Sequence, residues 1–114
     1  MNINIKNVKI CVTIPRDYTE KVREAICNAG AGTTFGNYSD CSNITKTIGT
    51  FKPINNANPF IGEINKLEFV EEDKLEVICD INKAKNVIKV LREVHPYEEP
   101  AIDIIPLIDE SDLK

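Results

Sequence analysis

The sequence predicts a small α+β domain in which two helices cover one face of an antiparallel sheet. Apolar residues alternate with polar ones from Val8 to Ile14, which is the period of a half-buried strand. Two later segments, 17–29 and 81–94, carry apolar residues at helical spacing, and each follows a strand-like run. The 114 residues fit one compact domain, residues 1–114, with no room for a second.

The first half of the chain reads as strand, helix and strand. Pro15 ends the first strand, and Asp17 stands three residues before Glu20, a spacing that predicts a capping box at the helix start. Gly30 is suited to the left-handed residue that ends a helix. The segment 29–36 is then expected to be a flexible connection, and the Thr, Ile and aromatic content of 37–51 predicts the second strand.

The middle of the chain predicts a loop and then a hairpin. Prolines, asparagines and a glycine in 52–63 argue against regular structure there. Apolar residues alternate in 66–72 and again in 74–81, so we expect two hairpin arms around Asp73. The charged run from Glu71 to Lys74 is then the solvated tip of that hairpin.

The last part of the chain predicts a second helix and a final strand. Asp80 or Asn82 can cap the helix, and Pro96 stops it. Segment 100–107 returns as a strand. Two βαβ halves in an antiparallel sheet, with both helices on one face, make a ferredoxin-like architecture.

Charge and composition narrow the possible partners. The net charge of -4 is spread along the chain, and no basic cluster could neutralise a row of phosphates, so nucleic acid is not expected as a partner. No apolar run approaches the ~20 residues that span a bilayer, so no membrane association is expected and a cytoplasmic protein is the default. The four cysteines are widely spaced, which favours buried reduced thiols over a zinc site.

Several stretches together resemble a known family. GNYSDCS, IGTFKP, NPFIG, KLEFVEEDKLEVIC and HPYEEPAIDIIPL follow in the order and spacing of the domain inserted in the Nif-three-like dinuclear-metal-centre proteins. The resemblance covers nearly the whole chain, which corresponds to that insert as a stand-alone chain. The insert is also similar to the CutA-type divalent-cation-tolerance proteins and the PII signalling proteins. The resemblance therefore implies a ferredoxin-like sandwich of the PII/CutA type that forms a homotrimer.

The resemblance has limits for the site. In the full-length relatives the metals are held by the parts that flank the insert, so the dinuclear centre cannot be carried over to any residue here. No basic, glycine-rich stretch matches the nucleotide-binding motifs of PII. Gly30, Gly32 and Gly36 follow a helix, whereas phosphate loops precede one. The run Asn55 to Ala57 stands where the family usually has a glycine.

The single histidine lies in the corner HPYEEP, which allows two interpretations. In the structural one, His95 ends the second helix, where the helix dipole favours a positive charge, and Tyr97 packs and anchors the corner. In the functional one, His95, Glu98 and Glu99 are ligands of a weakly bound divalent metal ion, completed by a neighbouring subunit. A catalytic role is less favoured, because the sequence places no Ser or Cys nucleophile beside the histidine.

The loop between Cys41 and Gly62 is the expected place for recognition, since loops on rigid scaffolds carry binding groups. We expect ligand or interface contacts from a small set of residues. They are Tyr38, Cys41, Phe51, Pro59, Phe60 and Tyr97. The hypothesis is an oligomeric binding or regulatory module, responsive to a small-molecule effector, a partner protein or a divalent cation. The alternative is a metal-dependent hydrolase related to the Nif-three-like proteins, and an enzyme is the less favoured of the two.

Overall fold

A computed structural model describes residues 3–33 and 36–114 of the chain. Within them the order of elements is strand, helix, strand, strand, helix, strand. The elements are β1 (Asn7–Pro15), α1 (Thr19–Asn28), β2 (Asn43–Phe51), β3 (Glu68–Asp80), α2 (Ile81–Val94) and β4 (Ile102–Pro106). Short 3-10 turns occupy Arg16–Tyr18 and Glu110–Asp112.

The four strands form one sheet in the order β2-β3-β1-β4. Every neighbouring pair is antiparallel. Ile10 of β1 is the meeting point of the two central pairings, with Val77 opposite it on β3 and Ile104 opposite it on β4. This order and connectivity are those of a ferredoxin-like α+β sandwich, so the predicted fold class is confirmed.

The core lies between the sheet and the two helices. Alternate side chains of β1 and β3 point to the same face, where they meet the apolar stripes of α1 and α2. The fully buried members include Ile10, Ile14, Leu75, Val22, Ile26, Val87 and Leu91. Among the helices in the described ranges, none is long and apolar enough to cross a membrane.

The predicted hairpin around Asp73 is wrong, because β3 runs unbroken through thirteen residues. Its first half pairs with β2 and its second half with β1, and the two pairings overlap from Glu72 to Glu76. The alternation keeps one phase across the charged run, because the apolar residues that predicted the two arms all have odd numbers: Leu67, Phe69, Leu75, Val77 and Cys79. Glu72 and Asp73, expected at a solvated tip, are therefore buried in the middle of a strand.

The two helix starts differ from each other in how they are capped. Asp80 accepts a hydrogen bond from the backbone N–H of Asn82 at 2.7 Å, as predicted for α2. The capping box predicted for α1 is wrong, because Tyr18 occupies the N-cap without a side-chain bond and Glu20 binds Arg23 instead. The 3-10 turn before α1 moves Asp17 away from the capping position.

The connection between α1 and β2 is partly tied to the sheet. Gly30 and Gly32 have φ of 118° and 81°, which places both in the left-handed region. The N–H of Gly32 donates to Ile78 O at 2.9 Å, and the N–H of Cys41 donates to Gly32 O at 3.0 Å. Positions 34 and 35 of the predicted flexible connection lie outside the described residues. The second strand begins at Asn43, later than the predicted start at 37.

Candidate functional site

His95 is buried at the end of α2, where it is only 6% exposed. The backbone N–H of Tyr97 donates to Nδ1 of its ring at 3.0 Å, so the ring proton lies on Nε2. Nε2 donates to Thr13 O at 2.8 Å, next to Val12, where the pairing of β1 with β4 ends. The imidazole thus donates a hydrogen bond to a β1 carbonyl that lies just beyond the pairing with β4.

The charge of His95 differs from the sequence-based expectation. Burial lowers the pKa of His95, and the nearby Thr13 carbonyl and Glu72 carboxylate oppose this only in part. The helix dipole was expected to favour a positive imidazole at this position. Desolvation of the enclosed ring has the largest effect on the pKa of His95, and it favours the neutral form.

Tyr97 connects the HPYEEP corner to the face of the sheet opposite the helices. Its hydroxyl donates to Oε2 of Glu72 at 2.6 Å, and its ring lies 5.7 Å from that of Phe51 and 5.0 Å from that of His95. Burial, and then the hydrogen bond to Glu72, raise the pKa of Tyr97. The phenol therefore stays protonated and acts as a donor.

Glu72 is 3% exposed, although it carries a carboxylate in the centre of the sheet. It lies beside Thr47 of β2 on one side and Pro15 of β1 on the other. Gly49 makes room for it, because a Cβ at that position would stand 2.6 Å from Cδ of Glu72 and overlap Oε1. The glycine of IGTF thus has a packing role that the sequence alone did not reveal.

The buried Asp73 and the half-buried Arg16 form a second polar cluster beside Glu72, on the helix side of β3. Asp73 accepts a hydrogen bond from Thr19 Oγ1 at 2.7 Å and lies 3.6 Å from Nε of Arg16. The guanidinium also donates to Thr47 O at 3.1 Å and pairs with Glu71 at 3.3 Å. These groups fasten β2 and β3 to the turn before α1. An arginine just after a strand was the only sequence signal for them.

The loop between β2 and β3 is ordered around its base. The N–H of Asn65 donates to Pro53 O at 2.7 Å and closes the loop. Asn55 has φ of 55°, a left-handed conformation that asparagine tolerates better than most residues. This tolerance explains how an asparagine can stand near the position of the family's glycine. The N–H of Asn58 donates to the carboxylate of Glu98 at 3.2 and 3.3 Å, which joins the loop to the corner.

Between this loop and the corner lies a cavity of about 460 Å³. Its volume falls in the ~300–1,000 Å³ range of small-molecule sites. Six residues singled out from the sequence line it, and Glu72 lines it as well. The six are Phe51, Pro59, Phe60, Tyr97, Glu98 and Glu99. The structure thus brings together the loop and the corner, which the sequence could only treat separately.

Three of the predicted site residues lie elsewhere. His95 stands behind Tyr97 and does not line the cavity. Tyr38 is 75% exposed, and Cys41 lines a separate cavity of about 350 Å³ with Gly32 and Glu76. Within residues 3–33 and 36–114, no group of three or more His, Cys, Asp and Glu side chains is arranged to hold a metal ion.

The described residues thus form a ferredoxin-like α+β domain with one candidate site between the loop and the corner. The chain is 47% identical over 104 residues to a GTP cyclohydrolase 1 type 2 homolog of Halalkalibacterium halodurans, covering 91% of this chain and 28% of that protein. It is 46% identical over 99 residues to the homolog of Bacillus subtilis, covering 87% and 26%. The chain therefore spans about a quarter of the length of these relatives. No family model matches the chain.

Solved structures of a NIF3-related protein and of CutA also superpose on the chain. A Bacillus cereus protein related to NIF3 superposes with a TM-score of 0.77 at 36% identity, over 95% of this chain and 28% of that one. The CutA of Archaeoglobus fulgidus superposes with a TM-score of 0.65 at 20% identity, over 89% and 83%. The second likeness concerns the fold alone. The resemblance to the Nif-three-like and CutA-type proteins inferred from the sequence is confirmed.

Proposed function

We propose that this chain is a small oligomeric binding or regulatory module whose ligand site is the cavity between the loop and the corner. The observation that carries the proposal is the composition of this cavity. Apolar and aromatic side chains share its lining with a smaller number of polar groups, which are three threonines, Lys52, Glu98, Glu99 and the buried Glu72. Concave apolar sites with few convergent polar groups are typical of ligand pockets.

The occupant is a small organic molecule in preference to a tightly held metal ion. Both ring nitrogens of His95 are engaged in hydrogen bonds within the chain, and the imidazole lies behind Tyr97. Glu98 and Glu99 are exposed and line the cavity. We place weak binding of a divalent cation at these two carboxylates, with further ligands from a neighbouring subunit.

The module works as a homotrimer in the cytoplasm. Both edge strands carry exposed isoleucines, Ile44 and Ile48 on β2 and Ile104 and Ile105 on β4. Exposed apolar edges are surfaces that proteins normally cover by association. The trimer follows the resemblance to CutA-type and PII proteins. The cytoplasmic location accords with the free thiols of all four cysteines.

The alternative function is a metal-dependent hydrolase. Its support is the name of the relatives, GTP cyclohydrolase 1 type 2 homolog, together with 47% identity to one of them. The matched segment is only 28% of that protein, so its activity does not transfer with the match. We favour the binding module because the described side chains offer a cavity and no group of three or more His, Cys, Asp and Glu side chains placed to hold a metal ion.

A ligand screen with a cavity-filling variant tests the proposal. The purified chain is screened by thermal shift against nucleotides, amino acids, amines and divalent cations. Each hit is then titrated against Ala101→Trp, which places an indole in the cavity, and against Ile108→Trp, an exposed position outside it. We expect the first variant to lose the hit and the second to retain it. Retention of every hit by Ala101→Trp, or a screen with no hit, overturns the proposal.

A further inference from the structure

Glu72 presents one carboxylate oxygen that the chain does not use. Oε2 accepts the hydroxyl of Tyr97, but no group in residues 3–33 and 36–114 donates a hydrogen bond to Oε1. Within the same residues, Asp112 Oδ2 is the one wholly enclosed side-chain oxygen or nitrogen that lacks a partner. Oε1 of Glu72 is therefore not sealed inside the protein. It lies against Gly49, where a Cβ would overlap it, and both Gly49 and Glu72 line the cavity.

No cation of the described residues neutralises this carboxylate. Arg16 lies nearby, but its ion pairs are with Glu71 and Asp73, and it reaches only the backbone carbonyl of Glu72, at 3.4 Å. Lys52 lines the cavity, and among the described residues no ion pair joins it to Glu72. A carboxylate that is removed from water without a counter-charge is costly, so the site is suited to a partner that brings both charge and hydrogen bonds.

The other charged and aromatic residues of the cavity also favour a cationic ligand. Its charged lining residues are three glutamates, Glu72, Glu98 and Glu99, and one lysine, so its net charge is negative. Anions such as phosphates are disfavoured there. The rings of Phe51 and Tyr97 meet at 59° and supply faces that attract a cation.

We propose that the cavity takes a small organic cation with a flat apolar body, whose ammonium or amidinium N–H donates to Oε1 of Glu72. This inference rests on the proposed function, because it names the ligand class of the same site. The apolar body packs against the aromatic wall, and the charge pairs with the buried carboxylate. Charge-assisted hydrogen bonds of this kind are the strong ones in proteins.

A series of three probes with one ring tests the charge requirement on the unaltered protein. Benzamidine is a cation, benzamide is its neutral counterpart and benzoate is the anion. We expect benzamidine to bind at least about ten-fold more tightly than benzamide in calorimetric titrations, and benzoate not to bind. Nuclear Overhauser contacts from bound benzamidine should reach the rings of Tyr97 and Phe51. Equal affinity for the three probes, or no binding of benzamidine, overturns the inference.

Two matched variants test the residue. Glu72→Gln keeps the size and an acceptor for Tyr97 but removes the charge, and it should weaken benzamidine binding at least about ten-fold. Glu71→Gln changes the neighbouring exposed carboxylate, which lies outside the cavity, and should leave the affinity unchanged. If Glu72→Gln does not fold, the probe series and the ring contacts decide. An unchanged affinity in folded Glu72→Gln overturns the inference.

The outcomes separate this inference from the proposed function. If Ala101→Trp abolishes the binding of a neutral or anionic hit, the cavity remains a ligand site. Only the inference that its ligand is a cation is then overturned. A crystal structure of the oligomer could instead show a basic side chain of a neighbouring copy against Glu72. That result also overturns the inference of a small cationic ligand. If Ala101→Trp binds every hit as tightly as the unaltered protein does, the proposed ligand site itself is overturned.

Discussion

The hydroxyl of Tyr97 donates to the carboxylate of Glu72 across 25 positions of sequence, at 2.6 Å. This one bond connects the corner after α2 to strand β3 and joins a buried carboxylate to an aromatic ring in the lining of the cavity. The corner's structural role and the site's chemistry therefore depend on the same pair. The two interpretations of HPYEEP that the sequence left open are linked through this contact.

Removing the hydroxyl of Tyr97 should destabilise the fold. Tyr97→Phe leaves Oε2 of Glu72 without its donor in a place where water has little access, and the expected loss in the free energy of unfolding is about 1–3 kcal/mol. Urea denaturation followed by circular dichroism measures it. Tyr38→Phe is the control, because that ring is 75% exposed, and it should change little. Equal stability of Tyr97→Phe and the unaltered protein contradicts the prediction.

His95 should make the stability of the protein depend on pH. Burial lowers the pKa of His95 below its usual value of 6.5, so in mildly acidic solution the unfolded chain binds a proton that the folded chain does not. The free energy of unfolding should therefore fall as the pH drops through 6.5 and stop falling, for this group, below the folded pKa.

The measurement for His95 is a comparison of denaturation curves at several pH values. His95→Gln has no titrating group at this position, so the difference in stability between it and the unaltered protein should shrink as the pH falls from 7 toward 5. Acidic side chains contribute to both proteins and cancel in this difference. A difference that stays constant over that interval contradicts the prediction.

Gly49 should be needed for its lack of a side chain, not for its backbone conformation. A Cβ there overlaps the carboxylate of Glu72, so Gly49→Ala should cost about 1–3 kcal/mol. In a Glu72→Ala background the same change should cost much less, because the overlapping group is gone. Chemical denaturation of the four proteins of this cycle measures the coupling. Equal costs in both backgrounds place the effect elsewhere.

The parts of the fold that the sequence predicted are those specified by short-range pattern. Alternation in β1, the apolar stripe of α2 and the cap at Asp80 involve residues that are close in sequence. The predicted hairpin at Asp73 is wrong because a run of charged residues does not by itself indicate a solvent-exposed turn. Two of the four charges, Glu72 and Asp73, are buried against partners far away in sequence, Tyr97 and Thr19.

The candidate site could be predicted only in parts. The aromatic and proline groups of the loop and the residues of the corner stood out by type, and six of them line the cavity. That they meet depends on the loop folding back to Glu98, a contact 40 positions apart. No sequence pattern marks Glu72 and Gly49 as site residues, because their importance comes from the close approach of β2 and β3.

The assembly should be a trimer in solution. Light scattering on the purified chain at micromolar concentration should give three times the mass of one chain. Charges on the β4 edge, in Ile104→Glu combined with Ile105→Glu, should dissociate it, because both side chains are exposed on an edge strand. Lys85→Glu on the exposed surface of α2 is the control and should keep the trimer. A monomeric mass for the unaltered chain contradicts the prediction.

Deleting residues 55–58 should separate folding from binding. The deletion removes Ala57 from the cavity lining and Asn58 from its bond to Glu98, while the bond between Asn65 and Pro53 can still close a shorter loop. Surface loops tolerate changes in length at small entropic cost, so the variant should keep the trimer and its melting temperature within a few degrees.

Binding should not survive the same deletion. Without this segment the cavity loses one wall, and any ligand found in the screen should bind at least about ten-fold more weakly, since the apolar surface it covers is reduced. Titration of the deletion variant against the unaltered chain measures this, and Asn58→Ala is the milder control because it retains the backbone N–H that Glu98 accepts. A deletion variant that does not fold makes the loop part of the scaffold, and one that binds fully places the site outside the loop.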